Sequence, residues 1–464
     1  MFGSADQQRF AALSGDRNPL HVDPVAARRL LTGRPVVHGV HTLLRVLDGW
    51  ADAVLPQRWR IEAEFLNPLS VGDGADMALD NDDAGEPRAV ASVAGLACCR
   101  ITLRTAEPAA AAPAPARDVE AIAIGDSPFD REPQAWVGRQ QAIALPGARF
   151  DGDFPVACAR LGERRVAAIA LLSSYVGMVC PGLHSVFSTL LVEAGDNGGD
   201  RLVFRVQRYD PRFRLFVIAF DGAVRGQIKA FVRAPAQAQP DVAELRAMLV
   251  PGEFAGSVHW VIGGSRGLGE VVAKLLAAGG ARVCLSYASG AADAQRVVQE
   301  IGAAGAPAAT ARQLDLLQGG FDNWLHEAPW PEAVWYFATP RIFRKRAAVF
   351  DEAVLDELLH FYVRRYAQLC VALEGAASGR SVRVFCPSTA FVDERPKGMT
   401  EYTMAKAAAE VLTADLARTL RQVKPIAHRL PRLATDQTAG LITSRSASNA
   451  EALLPVIRSV MAQR

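Results

Sequence analysis

The sequence predicts a multidomain chain: two α+β units, each a helix set against an antiparallel sheet, then an α/β unit with a doubly wound parallel sheet. Three observations carry this. Two Ala/Pro-rich stretches, "AEPAAAAPAPARD" from residue 106 and "RAPAQAQPD" from residue 233, have no apolar periodicity and divide the chain. Before each comes a helix-like segment followed by long alternating stretches, such as "DRLVFRVQRYDPRFRLFVIAFDGAVRGQIKAFVR", which suit half-buried antiparallel strands. Beyond the second, short apolar strands alternate with helices, the pattern of a parallel sheet. The expected organisation is a first block at 1–105, a linker at 106–118, a second block at 119–232, a linker with a short helix at 233–255, and a third block at 256–464.

The 464 residues are half hydrophobic and 22% charged, ample for packed cores, and the formal net charge is +2. No long basic run is present, which argues against nucleic acid as a partner. Seven cysteines are scattered without CxxC or His/Cys ligand spacing, so no metal site is expected. With no signal-peptide pattern and no apolar stretch long enough to span a bilayer, the expectation is a reduced, soluble, cytoplasmic protein with no membrane partner.

In the first block, Pro19 disfavours the helical region for Asn18 and keeps "SGDRNPLH" extended or turned. Asp23 reads as an N-cap with Pro24 at the first helical position, and Thr32-Gly33 as the stop after "VAARRLL". Asp16 and His21 thus fall on a loop ahead of a short helix. In the next helix, "HGVHTLLRVLDGW", Val40, Leu43, Leu44 and Leu47 share one face, so it is expected to be buried in a sheet.

"FAALSGDRNPLHVDP", then "VVHGVHTLL", then "AEFLNPLSVGD" resemble, in order, the motifs of the MaoC-like dehydratases and R-specific enoyl-CoA hydratases, over residues 2 to about 104. The resemblance implies a hotdog fold, a long helix wrapped by a curved antiparallel sheet. It also implies that Asp16 and His21 share the acid and base roles of dehydrating a 3-hydroxyacyl thioester or hydrating the enoyl thioester. Asn18 is implied to orient the pair, and backbone N–H groups near Gly39 to stabilise the thioester oxyanion. One departure is that the chain starts close before the motif, so the family's leading strand is expected to be short or absent.

The second block repeats the layout. "PGLHS" at 181–185 stands where "HGVHT" stands at 38–42, and an apolar helix is expected after it. This implies a double hotdog within one chain. The block lacks SGDxNPxH, so it is expected to be the non-catalytic half, completing the pseudo-dimer and walling the acyl tunnel, with His184 merely packing.

The third block opens "SVHWVIGGSRGLGEVVAKLLAAGGARVCLSY": strand, Gly-rich turn, helix, strand. Gly263, Gly267 and Gly269, with Ser265, Arg266 and Leu268 among them, form a dinucleotide-binding turn whose glycines admit a pyrophosphate at a helix N-terminus. The second strand ends at Ser286-Tyr287 without an acid for a ribose hydroxyl, and Arg266 could meet a 2′-phosphate; both favour NADPH. This Rossmann block resembles the short-chain dehydrogenase/reductase family, and "YTMAK" completes its YxxxK signature. The resemblance implies that Tyr402 donates a proton to a ketone with its pKa lowered by Lys406, that Ser388 or Thr389 positions the carbonyl, and that Asp315 contacts the adenine. Departures are visible. Tyr336, Phe337, Ala338 and Thr339 replace Asn-Asn-Ala-Gly, Tyr362 stands where a catalytic Asn is usual, Pro431-Arg432 replaces Pro-Gly, and the usual substrate lid and seventh strand are not expected after it.

The expected function is a bifunctional enzyme: NADPH-dependent reduction of a 3-ketoacyl thioester on CoA or an acyl-carrier protein, and interconversion of the 3-hydroxyacyl product with the 2-enoyl thioester. Two other readings are a hydratase/dehydratase with a nucleotide-binding but catalytically degenerate Rossmann domain, and a non-enzymatic acyl-binding scaffold. A homodimer through the Rossmann domain is the expected assembly.

Overall fold

A computed structural model describes residues 2–29, 32–50, 56–107, 119–195, 199–344, 349–437 and 448–463. From residue 108 on, the linker expected at 106–118 lies outside them. Two compact units divide near residue 235, one ending at Pro235 and the other beginning at Ala236. Among the described residues, no helix is long and apolar enough to cross a membrane.

The first unit is built on one ten-stranded sheet. The first block supplies β1 (Trp59–Phe65), β2 (Asp76–Asn81), β3 (Pro87–Val93) and β4 (Leu96–Thr105). The second supplies β5 (Glu120–Ala121), β6 (Gln140–Ala144), β7 (Ser185–Ala194), β8 (Arg201–Asp210), β9 (Leu215–Asp221) and β10 (Val224–Val232). The order is β2-β3-β4-β1-β7-β10-β9-β8-β6-β5, and β1 pairs antiparallel with β7 from Arg60↔Glu193 to Glu64↔Thr189, so the two halves share one sheet. One continuous core joins the helix Gly39–Gly49 to the helix Glu163–Ser174 and to strand residues such as Ile61, Ile101, Leu190 and Ile228. Val40, Leu43, Leu44 and Leu47 are all buried there, as their spacing predicts. Each such side chain contributes about 1.5–3 kcal/mol of burial. This is a double hotdog.

One expectation fails. "SVFSTLLVEA" is strand β7, not a helix, and the wrapped helix of the second half is "ERRVAAIALLSS" upstream of "PGLHS". Pro181 and Gly182 (φ +83°) separate them, and β-branched and aromatic residues at 186, 187, 189 and 192 suit a pleated strand. Ahead of the Asp16 loop stands a helix, Ser4–Ser14.

The second unit is a six-stranded parallel sheet. Its strands are β11 (Val258–Ile262), β12 (Arg282–Tyr287), β13 (Thr310–Gln313), β14 (Ala333–Tyr336), β15 (Val382–Thr389) and β16 (Val423–Leu430), ordered β13-β12-β11-β14-β15-β16. Alternate residues feed two cores. Val261, Leu285 and Trp335 pack with the helices Gly267–Ala278 and Asn449–Ala462, while Trp260, Ile262 and Val334 pack with Tyr366–Ala376. Helices on both faces of an all-parallel sheet make it doubly wound.

Candidate functional site

In the first unit the chain leaves the helix Ser4–Ser14 through Gly15, whose left-handed φ of +86° suits glycine, and Asp16 follows, 1% exposed. Asn18 caps the one-turn helix Pro19–Val22, its Oδ1 accepting from the Leu20 N–H at 3.0 Å. His21 therefore sits on a helical turn rather than a loop, and that turn brings it to Asp16. Nδ1 of His21 lies 2.7 Å from the Val36 carbonyl. A carbonyl only accepts, so the neutral ring carries its proton on Nδ1 and presents a lone pair at Nε2. Burial lowers the pKa of His21, opposed by Asp16. Burial pushes Asp16 up, opposed by the His21 charge, by Ser173 and by the Asn18 N–H. The same burial thus favours the neutral form of both groups.

The second half holds this loop in place. Ser173 donates to Asp16 Oδ2 at 2.6 Å. Asn18 Nδ2 donates to the carbonyls of Gly177 at 2.7 Å and Gly182 at 3.2 Å. A Cβ at Gly177 would lie 2.3 Å from Asp16 Oδ1, so only glycine lets the carboxylate dock there. Asn18 is 0% exposed and its amide is committed to backbone. It anchors the loop, and its backbone N–H, 3.2 Å from Asp16 Oδ1, steadies the carboxylate.

His38 precedes Gly39. Its ring stacks on His21 with centroids 3.9 Å apart, its Nε2 is 3.1 Å from the Asp16 carbonyl, and its Nδ1 is 2.9 Å from Gln7 Oε1. Burial holds it well below the usual imidazole range. Asp16, His21 and His38 bring three potential ligand atoms within 4.8 Å of one another. Lone pairs lie in the ring planes, however, so two stacked imidazoles do not converge on one ion, and the trio suits proton transfer better than metal binding. Gly39 opens the helix Gly39–Gly49, whose first turn no side chain caps, leaving N–H groups for an oxyanion. A Cβ there would meet the Phe65 ring at 2.9 Å.

In the second unit the turn after β11 brings backbone close to backbone. A Cβ at Gly263 would lie 2.8 Å from the Ala338 nitrogen, and one at Gly269 2.2 Å from the Gly263 carbonyl. The helix Gly267–Ala278 has no side-chain cap, so its first turn is open to phosphate. Ser265 is buried beside it, and Leu268 packs against the adjoining core. Ser286, at the end of β12, accepts the Gly263 N–H at 2.9 Å. Arg266 faces a carboxylate within its own unit. Its guanidinium is 3.6 Å from the Asp436 carboxylate. Asp315 accepts from the Leu317 N–H at 2.9 Å.

Around "YTMAK" the alternatives separate. Ser388 donates to Glu410, which Arg429 also grips, so its hydroxyl is engaged away from Tyr402. Thr389 stands by Tyr402. Tyr402 is pushed up by burial and pulled back by Thr389. Lys406 donates to the Pro387 carbonyl at 2.7 Å and sits 3.7 Å over the Tyr362 ring, against 5.8 Å from that of Tyr402. Burial lowers Lys406 to about 8. Tyr362, whose hydroxyl meets Thr339, has captured the ammonium.

Comparison with known proteins bears on both units. Residues 3–94 match the MaoC like domain, and residues 257–319 match the short chain dehydrogenase family. The (R)-specific enoyl-CoA hydratase of Aeromonas caviae is 34% identical over 96 residues, 20% of this chain and 71% of that protein. The chain belongs to the MaoC-like family. The 3-hydroxyacyl-thioester dehydratase X of Mycobacterium tuberculosis is 36% identical over 102 residues, 19% of this chain but only 35% of that protein. An uncharacterized oxidoreductase of Methylorubrum extorquens is 36% identical over 113 residues, 24% of this chain and 44% of its own length. The chain therefore carries a MaoC-like unit followed by a short-chain dehydrogenase unit, two units of enzyme families.

Within the MaoC-like unit, three contributors escaped the sequence. His38 lies inside "VVHGVHTLL", and its place beside Gly39 was the available signal. Ser173 and Gly177 lie in the half without a motif, and nothing local marks them. In the short-chain dehydrogenase unit the glycines and the open helix end fit a dinucleotide pyrophosphate, while the Arg266–Asp436 pair leaves the choice between NADPH and NADH open.

Proposed function

We propose that this chain is a bifunctional acyl-thioester enzyme whose MaoC-like unit interconverts 3-hydroxyacyl and 2-enoyl thioesters. The observation that carries it is the pairing of Asp16 with a His21 whose Nδ1 is tied to Val36. In dehydration, Nε2 of neutral His21 takes the α-proton. Charge gathering on the thioester oxygen faces the N–H groups at Gly39, and Asp16, in its acid form, protonates the departing hydroxyl as water. Hydration runs the steps backwards. The thioester would come on CoA or an acyl-carrier protein. The test is hydration of crotonyl-CoA: activity that falls at least a hundredfold in Asp16→Asn supports the proposal. Equal, negligible rates for both proteins would instead favour an acyl-binding scaffold.

In the second unit, NADPH at the Gly263–Gly269 turn would supply hydride to a 3-ketoacyl thioester. Tyr402, whose burial keeps its proton in place, would donate to the ketone oxygen beside Thr389. One observation favours a second reading, nucleotide binding without turnover: the ammonium of Lys406 stands over Tyr362, where the family has Asn. NADPH oxidation with acetoacetyl-CoA, compared between wild type and Tyr402→Phe, separates the two. A homodimer through this unit belongs to the same proposal, supported by Val371, Met404 and Val411, which are exposed on the helices Tyr366–Ala376 and Thr400–Thr419. So does a reducing, cytoplasmic setting, which suits seven free cysteines.

A further inference from the structure

A desolvated charge without a close counter-charge is costly, and proteins rarely keep one without a use. Among the described residues Arg233, just past β10, is such a charge. Its Nη2 donates to the Leu183 carbonyl at 2.7 Å, the same carbonyl that Asn18 Nδ2 approaches at 3.5 Å, so it lies against the Asp16/His21 turn. Its Nε is buried with no partner among the described residues. Its charge acts on both His21 and His184. The carboxylate that acts on it is Asp130, itself 65% exposed and 3.6 Å from Nε2 of His184. Arg214 adds a second guanidinium by donating to the Arg233 carbonyl at 3.0 Å. His184, expected merely to pack, leaves Nδ1 buried and unpartnered in the same cluster.

The fold does not require this charge, because a neutral donor would satisfy the Leu183 carbonyl. The arrangement calls for an anion close to His21. Phosphates of a carrier are poor candidates, since the long pantetheine arm holds them far from the thioester. An anion near the reacting carbons belongs to the acyl group itself. We propose that Arg233 binds a carboxylate on the acyl chain, so that the preferred substrate is the thioester of a dicarboxylic acid. This rests on the hydratase/dehydratase reading of the Asp16/His21 site.

Glutaconyl-CoA is crotonyl-CoA bearing a terminal carboxylate, so the two isolate that group. The full chain is expected to hydrate glutaconyl-CoA with a kcat/KM about tenfold or more above crotonyl-CoA, the discrimination that a buried charged contact gives. Arg233→Met should lower that ratio at least tenfold, and Arg233→Lys should recover part of it, which a purely structural role would not do. The preference of the wild-type protein is decisive even if a variant fails to fold. Crotonyl-CoA hydrated as well as glutaconyl-CoA, or a ratio unmoved in Arg233→Met, overturns the assignment and leaves the hydratase reading standing. Hydration of neither thioester removes that reading and this one together.

Discussion

Removing the Ser173 hydroxyl tests whether the half without a motif governs the chemistry of the other. Ser173 donates to Asp16 Oδ2 at 2.6 Å, and both residues are buried. That bond favours the carboxylate over the acid, so Ser173→Ala raises the pKa of Asp16 above its already raised position. A hydrogen bond to a charged group is worth about 1.5–3 kcal/mol, and one pKa unit is about 1.4 kcal/mol. The Asn18 N–H and the His21 charge still act on Asp16, so a shift near the lower end, about one unit, is expected. Hydration needs the carboxylate as base. In Ser173→Ala the acidic limb of kcat/KM for crotonyl-CoA should therefore move about one unit to higher pH. Ser173→Thr, which keeps the hydroxyl, should return the limb most of the way. A profile for Ser173→Ala that superimposes on wild type, or drops uniformly without moving, would refute the reasoning.

Three further outcomes follow from the same geometry. Gly177→Ala places a Cβ where Asp16 Oδ1 now lies, and should cost crotonyl-CoA hydration about a hundredfold while nucleotide binding, followed by NADPH fluorescence, is retained. Asn18→Ala strips the buried Gly177 carbonyl of the Asn18 donor, while the Gly182 carbonyl keeps the Ser185 N–H at 3.0 Å, and should lower stability by about 1–3 kcal/mol, read from denaturant unfolding of the first unit. Tyr362→Asn removes the ring beneath Lys406, and any ketoreduction of acetoacetyl-CoA should rise; a fall would mean that the tyrosine serves the reaction.

Much of this was legible residue by residue. The stripe Val40, Leu43, Leu44, Leu47 foretold a buried helix because one periodicity dominates it, and the alternation from Asp200 to Arg233 foretold strands for the same reason. "SVFSTLLVEA" misled because a short apolar run carries no period that separates helix from strand, and the likeness of "PGLHS" to "HGVHT" tipped it the wrong way. Asp16 and His21 could be paired because they are local. Ser173 could not, since it meets Asp16 across 157 positions of sequence. The YxxxK pair was legible as spacing, but spacing does not say which ring the lysine approaches; Tyr362, noticed as a departure, decided that.

The single sheet across both halves has a consequence for how such a chain can change. If the two halves descend from one duplicated segment, the silent copy was never free to drift everywhere. Ser173, Gly177 and the carbonyl of Gly182 touch the working residues of its sibling, so selection on one copy falls on the other at these points. Elsewhere the half without a motif could accumulate novelty, and Arg233, just past β10, lies against the neighbour's Asp16/His21 turn. A sheet shared in this way gives the Asp16/His21 site a wall that can evolve separately from its own residues.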